Sequence, residues 1–306
     1  MKILSIQIVA DTLGRLLGKV IVPRPGPELS FLEIPGRKVP LTIPTRHGPL
    51  ACQAYLPPES SEGRPGVYLN LHGGGFVAAG PEQDDPWCRF LAHHAGVVVI
   101  NADYAVAPRH RFPVALEQVH DAAVWAAADN SMWDGSRLCI GGQSAGGSLS
   151  AGVCRMFREQ GGPRVALQVL VYPPLDCVTD AKLKHTDYKK ALITPFLSDV
   201  FNACYIPDPA KRTTRLVSPA WGTNDQGLEG IAPAVVLTCE YDRLHDEGAR
   251  YAKALEKAGA LVDHYDIPGV DHCFNLISGT REITEKAYKR MADHVKNAVA
   301  KSSPLS

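Results

Sequence analysis

The sequence predicts an α/β fold: a mostly parallel central sheet with helices on both faces and a helical cap. Three observations predict it. Short apolar, β-prone runs alternate with helical patterns along most of the chain, as parallel strands joined by crossover helices require. One of those runs ends in the bare turn His72-Gly73-Gly74-Gly75-Phe76. Another runs into Gly142-Gln143-Ser144-Ala145-Gly146-Gly147, which fits a sharp turn from strand to helix.

The chain has 306 residues, 45% hydrophobic and 21% charged, an ordinary globular composition that fits one large α/β domain. Residues 1–20 read as an amphipathic helix. The apolar run after Met1-Lys2 is short, Asp11, Arg15 and Lys19 follow it at once, and no small-residue cleavage site comes directly after it. A membrane span would need about 20 apolar residues. The expectation is a cytoplasmic protein without stable membrane insertion. Pro23, Pro25, Pro27, Pro35 and Pro40 then mark an irregular connection. A hairpin over 38–57 turns at His47-Gly48-Pro49. Further strands fall near 66–71, 97–102, 137–141, 165–171, 233–239 and 261–267. Helical patterns cover 114–128, the residues after Ser144, 246–257 with Gly259 past its end, and 281–301.

One stretch breaks the alternation. Residues 174–232 show no clear strand and much Pro, Asp, Thr and Lys, with a helical pattern at 192–205 whose first turn accepts Pro195. A long excursion inside a compact domain is usually functional, often a lid. Residues 1–40 and 178–220 are therefore the expected cap elements. Residues 41–177 and 221–306 make the catalytic domain, as one structural unit.

Composition excludes several partners. Lys+Arg and Asp+Glu are both 32, so nothing draws nucleic acid or an anionic surface. Eight scattered cysteines without a CxxC pair read as buried free thiols of a reducing compartment. No HExxH or equivalent metal spacing occurs, adjacent His93 and His94 point apart on a helix, and Asp84-Asp85 reads as a solvated loop or helix start. No metal and no cofactor are expected.

The two glycine-rich turns supply what acyl transfer needs: a nucleophile and a site for the oxyanion it creates. Ser144 is the candidate nucleophile. The N–H of Ala145, with those of Gly74 and Gly75, is the candidate oxyanion hole, because glycine lets backbone approach the substrate without a Cβ in the way. His72 reads as structural, holding the turn through hydrogen bonds. Of eleven histidines, His272 follows the last predicted strand, at the end of the sheet where α/β active sites gather. A neutral imidazole there takes the serine proton and later returns it to the leaving group. Asp242, just past the strand at 233–239, is the candidate partner of His272. Glu240 and Asp246 are rivals, although Asp246 suits the N-cap of the next helix. Phe76, Trp87, Tyr104 and Phe196 are candidate pocket walls, with ordinary core packing as the competing reading.

An HGGG turn upstream of a GxSxG turn is the signature of the α/β-hydrolase fold. The chain resembles the hormone-sensitive-lipase family of esterases, the bacterial family IV group within that fold, over roughly residues 45–300. HGGGF at 72–76 matches the family's HGGG motif and GQSAGG at 142–147 its GDSAGG. Residues 103–113 look like DYRLAPEHPFP, 242–248 like DPLRDEG, and His272-Cys273-Phe274 like HGF. The resemblance implies a triad of Ser144, Asp242 and His272, and a hole made by Gly74, Gly75 and Ala145, with Gly73 shaping the turn. It also implies a cap built from the two segments above. Dimers through the sheet edge are common in the family, so a homodimer is the corresponding expectation. Gln143, Arg109, Arg111, Arg243 and Cys273 depart from the family pattern. Cys273, beside the candidate base, is expected to narrow the pocket or confer thiol sensitivity.

The expected activity is hydrolysis of small to medium acyl esters through an acyl-Ser144 intermediate. The same triad also serves amides, lactones or carbamates, because the oxyanion is alike. A non-catalytic small-molecule receptor on this scaffold is the rival from another class, and the filled catalytic positions argue against it.

Overall fold

A computed structural model of the chain describes residues 7–20, 22–59, 63–128 and 130–301. Eight strands form one sheet: β1 (Arg37–Thr45), β2 (Gly48–Leu56), β3 (Val67–Leu71), β4 (Val98–Ala102), β5 (Leu138–Gln143), β6 (Leu167–Val171), β7 (Ala234–Cys239) and β8 (Leu261–Ile267). Their order is β1-β2-β4-β3-β5-β6-β7-β8. β1, β2 and β4 pair antiparallel, and every pairing from β4 to β8 is parallel. The chain therefore leaves β3 toward one side and later returns to its other side as β5. That reversal is a topological switch point, where the carboxyl ends of neighbouring strands open a crevice.

Eight α-helices are described: α1 (Gln7–Val20), α2 (Asp85–Ala95), α3 (Val114–Ala126), α4 (Ala145–Gln160), α5 (Pro195–Tyr205), α6 (Pro209–Arg212), α7 (His245–Lys257) and α8 (Arg281–Lys301). The strands at the centre are buried on both faces, so their side chains divide by parity. Val67, Leu69 and Leu71 of β3 join one core with residues of α3, α4 and α7. Tyr68 faces the other core, with Trp87 and Phe90 of α2 and Tyr288 and Met291 of α8. A continuous apolar run in sequence is what such a strand must carry. None of the described helices is long and apolar enough to cross a membrane.

Between β6 and β7 the chain makes the long strand-free excursion, carrying α5 and α6. The α5 start is local chemistry: Pro195 needs no N–H partner in the first turn, and Thr194 Oγ1 accepts the Leu197 N–H at 3.2 Å. Helix α1 lies against α5. Gln7 Nε2 donates to Ala203 O at 3.1 Å, Cys204 Sγ lies 3.2 Å from Ala10 O, and a Cβ on Gly14 would sit 2.5 Å from that sulfur. Arg111, one of the departures from the family pattern, anchors α1 through Asp11 at 2.7 Å.

Several expectations change. The predicted helix over 1–20 is described from Gln7, and residues 1–6 lie outside the described residues. Residues 37–40, grouped by sequence with the N-terminal cap segment, begin β1. Of the two readings of Asp84-Asp85 the helix start holds, since Asp85 opens α2, but Asp84 is fully buried rather than solvated. Asp246 does not cap α7; it lies one residue inside the helix, exposed, beside His245 Nδ1 at 3.0 Å.

Candidate active site

Four strand ends build the site. After β3 comes the glycine turn, after β5 comes Ser144, after β7 comes Asp242, and after β8 comes His272. Ser144 holds φ at +51°, an unusual value for a residue with a side chain. The surroundings enforce it: Ser144 N–H donates to Val171 O at 2.9 Å, and α4 begins at once. A Cβ on Gly146 would lie 1.9 Å from Leu71 O, so only glycine lets α4 start this close to β3.

The structure brings Ser144, Asp242 and His272 together. Ser144 Oγ is 2.9 Å from His272 Nε2, and His272 Nδ1 is 2.6 Å from Asp242 Oδ2. The three residues are 6%, 2% and 1% exposed in the order Ser144, His272, Asp242. Asp242 Oδ1 accepts the Leu244 N–H at 3.0 Å, which orients the carboxylate. With Nδ1–H given to Asp242, Nε2 is left to accept the serine proton. Burial opposes the imidazolium, yet the adjoining Asp242 charge more than offsets this and holds the His272 pKa well above its ordinary 6.5. The rivals of Asp242 are engaged elsewhere: Glu240 accepts the Gly269 N–H at 2.7 Å.

Gly74 and Gly75 line the same cleft as Ser144 and His272, at φ of +122° and +59°. Ala145 opens α4, so its N–H has no partner within the helix. His72 braces the turn from behind. Its Nδ1 lies 2.6 Å from Gly73 O, its ring stacks on Tyr104 at 4.2 Å, and Tyr104 Oη donates to His72 O at 2.7 Å. Burial lowers the His72 pKa to about 4, so it stays neutral and donates from Nδ1.

Gln143, which departs from the family pattern, sits in a buried polar cluster. Its Oε1 accepts from Asn275 Nδ2 at 2.7 Å and from Tyr172 Oη. The Tyr172 ring lies 4.6 Å from that of His272. Asp84 Oδ2 accepts from Asn70 Nδ2 at 2.8 Å, and no cation faces it among the described residues. Burial raises the Asp84 pKa to about 7, against the hydrogen bond from Asn70. The native state thus keeps a proton that the unfolded chain loses near 3.8, so stability falls as pH rises between those values. Asp84→Asn removes the ionisation. Relative to the parent chain, it is expected to gain on the order of 4 kcal/mol between pH 4 and pH 8. Urea unfolding of both chains at the two pH values checks this; equal pH slopes would count against it.

Arg243, another of the departures, binds the excursion to the site. It donates to Ile193 O at 2.9 Å and to Lys184 O. Cys273 lines the cleft beside the imidazole.

The four aromatic residues expected as pocket walls separate. Phe76 stacks on Tyr205 at 4.0 Å and borders a small pocket beside Ser144. Tyr104 lies behind the glycine turn, and Trp87 packs among Tyr68 and Tyr288 in the core on the far side of the sheet. Neither lines the cleft or the small pocket. Phe196 is 57% exposed and borders neither cavity. Leu197 and Phe201, one turn apart on α5, face the cleft instead. Their i, i+4 spacing was the available signal, and Phe196 falls about 100° round the helix from Leu197. Among the described residues no group of three or more His, Cys, Asp or Glu side chains is placed to hold a metal ion.

A family model described as the alpha/beta hydrolase fold matches residues 68–276. Over 245 residues the chain is 37% identical to ethyl acetate hydrolase of Pseudomonas putida, covering 76% of this chain and 74% of that one. Over 242 residues it is 34% identical to carboxylic ester hydrolase LipN of Mycobacterium tuberculosis, covering 76% of this chain but 63% of LipN. The hyperthermophilic esterase from the archaeon Pyrobaculum calidifontis superposes with a TM-score of 0.79 at 30% identity, over 95% of this chain and 93% of that one. A match of this extent on a sheet of this topology makes one assignment: the chain belongs to the α/β-hydrolase fold family, in its hormone-sensitive-lipase group of carboxylic-ester hydrolases.

Proposed function

We propose that this chain is a serine carboxylesterase that cleaves small to medium acyl esters through an acyl-Ser144 intermediate. The observation that carries the reading is the 2.9 Å contact from Ser144 Oγ to His272 Nε2, with Asp242 2.6 Å from the other ring nitrogen. His272 takes the Ser144 proton as Oγ attacks the ester carbonyl. The negative charge forms on the carbonyl oxygen, beside the N–H groups of Gly74, Gly75 and Ala145. Collapse expels the alcohol, which takes the proton from His272. Water, deprotonated by the same imidazole, then releases the acid. No metal or cofactor takes part. The names of the two sequence relatives, an ethyl acetate hydrolase and a carboxylic ester hydrolase, support an ester as substrate.

The segments carrying α1 and α5 act as the cap in this reading, since both border the cleft: Val20 from one side, Leu197 and Phe201 from the other. All eight cysteines are free, which supports a cytoplasmic setting. Strand β8 ends the sheet, and the reading includes a homodimer through that edge, measurable by light scattering.

Labelling with a fluorophosphonate, followed by peptide mapping, is expected to place one adduct on Ser144. A panel of p-nitrophenyl esters against the matching anilides is expected to show turnover of the esters and little of the anilides. An adduct on another residue, or faster anilide cleavage, would overturn the reading.

A further inference from the structure

Ser144 borders two cavities of different size. The cleft has about 420 Å³ and is lined by His272, Cys273, Leu276 and Ile277 on one side. The second has about 40 Å³ and lies against Phe76, Pro174, Cys177, Lys184 and Leu244. His272 borders the cleft and does not border the small pocket. Gly75, Ser144, Ile193 and Phe201 line both, so the side chains of Ile193 and Phe201 stand as the partition between them. Phe201 is pressed close to the glycine turn: a Cβ on Gly75 would lie 2.5 Å from its ring.

Chemistry decides which half of an ester enters which cavity. The tetrahedral carbon on Ser144 Oγ carries three other groups. Its oxyanion faces the main-chain N–H groups. Its leaving oxygen must accept a proton from His272 Nε2, so the alcohol half occupies the side that His272 borders. The acyl substituent is left with the remaining direction, into the small pocket.

We infer, building on the esterase reading above, that the small pocket is the acyl site, that it limits the acyl half to about four carbons, and that Phe201 and Ile193 set this limit. The volume of about 40 Å³ admits roughly three non-hydrogen atoms beyond the carbonyl carbon, at ~10–15 Å³ each. The far wall does not yield. Lys184 Nζ lies 2.5 Å from Glu247 Oε2, Glu247 is buried and the Lys184 side chain is only 10% exposed, and Glu247 Oε1 accepts the Leu175 N–H at 2.7 Å. Widening the pocket in that direction would break a buried ion pair, which is strongly unfavourable. The alcohol half meets no such wall, because the cleft is some ten times larger.

The test is a matrix of kcat/KM values on the full chain. One series holds the alcohol as p-nitrophenol and lengthens the acyl group from acetyl to octanoyl. The other holds acetyl and lengthens the alcohol from ethyl to octyl. Rates are normalised to Ser144 titrated with fluorophosphonate. The parent enzyme is expected to fall at least tenfold between butanoyl and hexanoyl, and less than threefold across the alcohols. Phe201→Ala, which opens the partition, is expected to move the acyl optimum to hexanoyl or beyond. Phe201→Leu keeps an apolar side chain on α5 and guards against loss of fold; it is expected to relax the limit in part. A titratable enzyme that prefers hexanoyl, that shows its steep limit on the alcohol side, or whose acyl profile ignores both substitutions overturns the inference and leaves the esterase reading standing. A chain whose Ser144 does not titrate sinks that reading and this inference with it.

Discussion

Ser144→Ala is expected to lower kcat by about a million-fold, His272→Ala by a similar factor, and the double variant by no more than either alone. The reason is the shared proton. Ser144 Oγ is a weak nucleophile until Nε2, 2.9 Å away, removes its hydrogen. Without the serine the imidazole has nothing to deprotonate in the acylation step, and without the imidazole the hydroxyl stays protonated. Each deletion therefore abolishes the same event. The loss corresponds to about 8 kcal/mol of transition-state stabilisation. What survives is the contribution of the glycine-turn and Ala145 amides, which stabilise charge whatever the nucleophile. Neither alanine should unfold the chain, since the turn at Ser144 is held by main-chain bonds such as Ser144 N–H to Val171 O. Steady-state kinetics on the three variants, with circular dichroism as a control, measures this. Near-normal turnover in His272→Ala would show that another group is the base.

The second large effect is expected from Asp242→Asn, about a 10⁴-fold fall in kcat. The buried carboxylate accepts from His272 Nδ1 and from the Leu244 N–H at once. An asparagine cannot accept at both positions. Turned to keep the Leu244 bond, it presents its own N–H₂ to Nδ1 and favours the tautomer with hydrogen on Nε2, which cannot take the serine proton. The same substitution removes the charge that raises the His272 pKa. The sign follows from the role. The base must be neutral, so activity is present above the imidazole pKa and lost as pH falls through it. In the parent enzyme the acid limb of kcat/KM should therefore lie above pH 6.5, the ordinary histidine value. In Asp242→Asn the residual activity should hold to lower pH than in the parent. A pH profile of both enzymes decides it, and an unmoved acid limb would break the link between Asp242 and the base.

The residues of the proposed triad could be picked out from sequence because their settings are encoded locally. A glycine turn after a strand and a serine between strand and helix are backbone conformations that few sequences accept, and Gly146 shows why: its hydrogen is all that fits against Leu71 O. Asp242 and His272 follow from their places just past β7 and β8, since strand ends on one edge of a parallel sheet converge. The strands and most of the helices between them likewise followed from periodicity, whereas α2, between β3 and β4, did not.

The walls around those residues were decided elsewhere. Which face of α5 meets the cleft depends on where α1 presses it, through Cys204 and Ala10, and that contact joins residues 194 apart in the chain. Phe196 and Phe201 look alike in sequence; only the docking of α5 puts one in solvent and the other against Gly75. Trp87 and Tyr104 are aromatic residues near a glycine turn, and strand parity and stacking sent both into packing roles. Asp84 reads as a surface residue until β3 and α2 close over it. Sequence by itself determined the turns and strand ends that carry the proposed reacting groups, because turn geometry and strand order are short-range properties of the chain. Tertiary structure decided the shape of the space beside them, because a cavity wall is the sum of contacts between segments that no local pattern records.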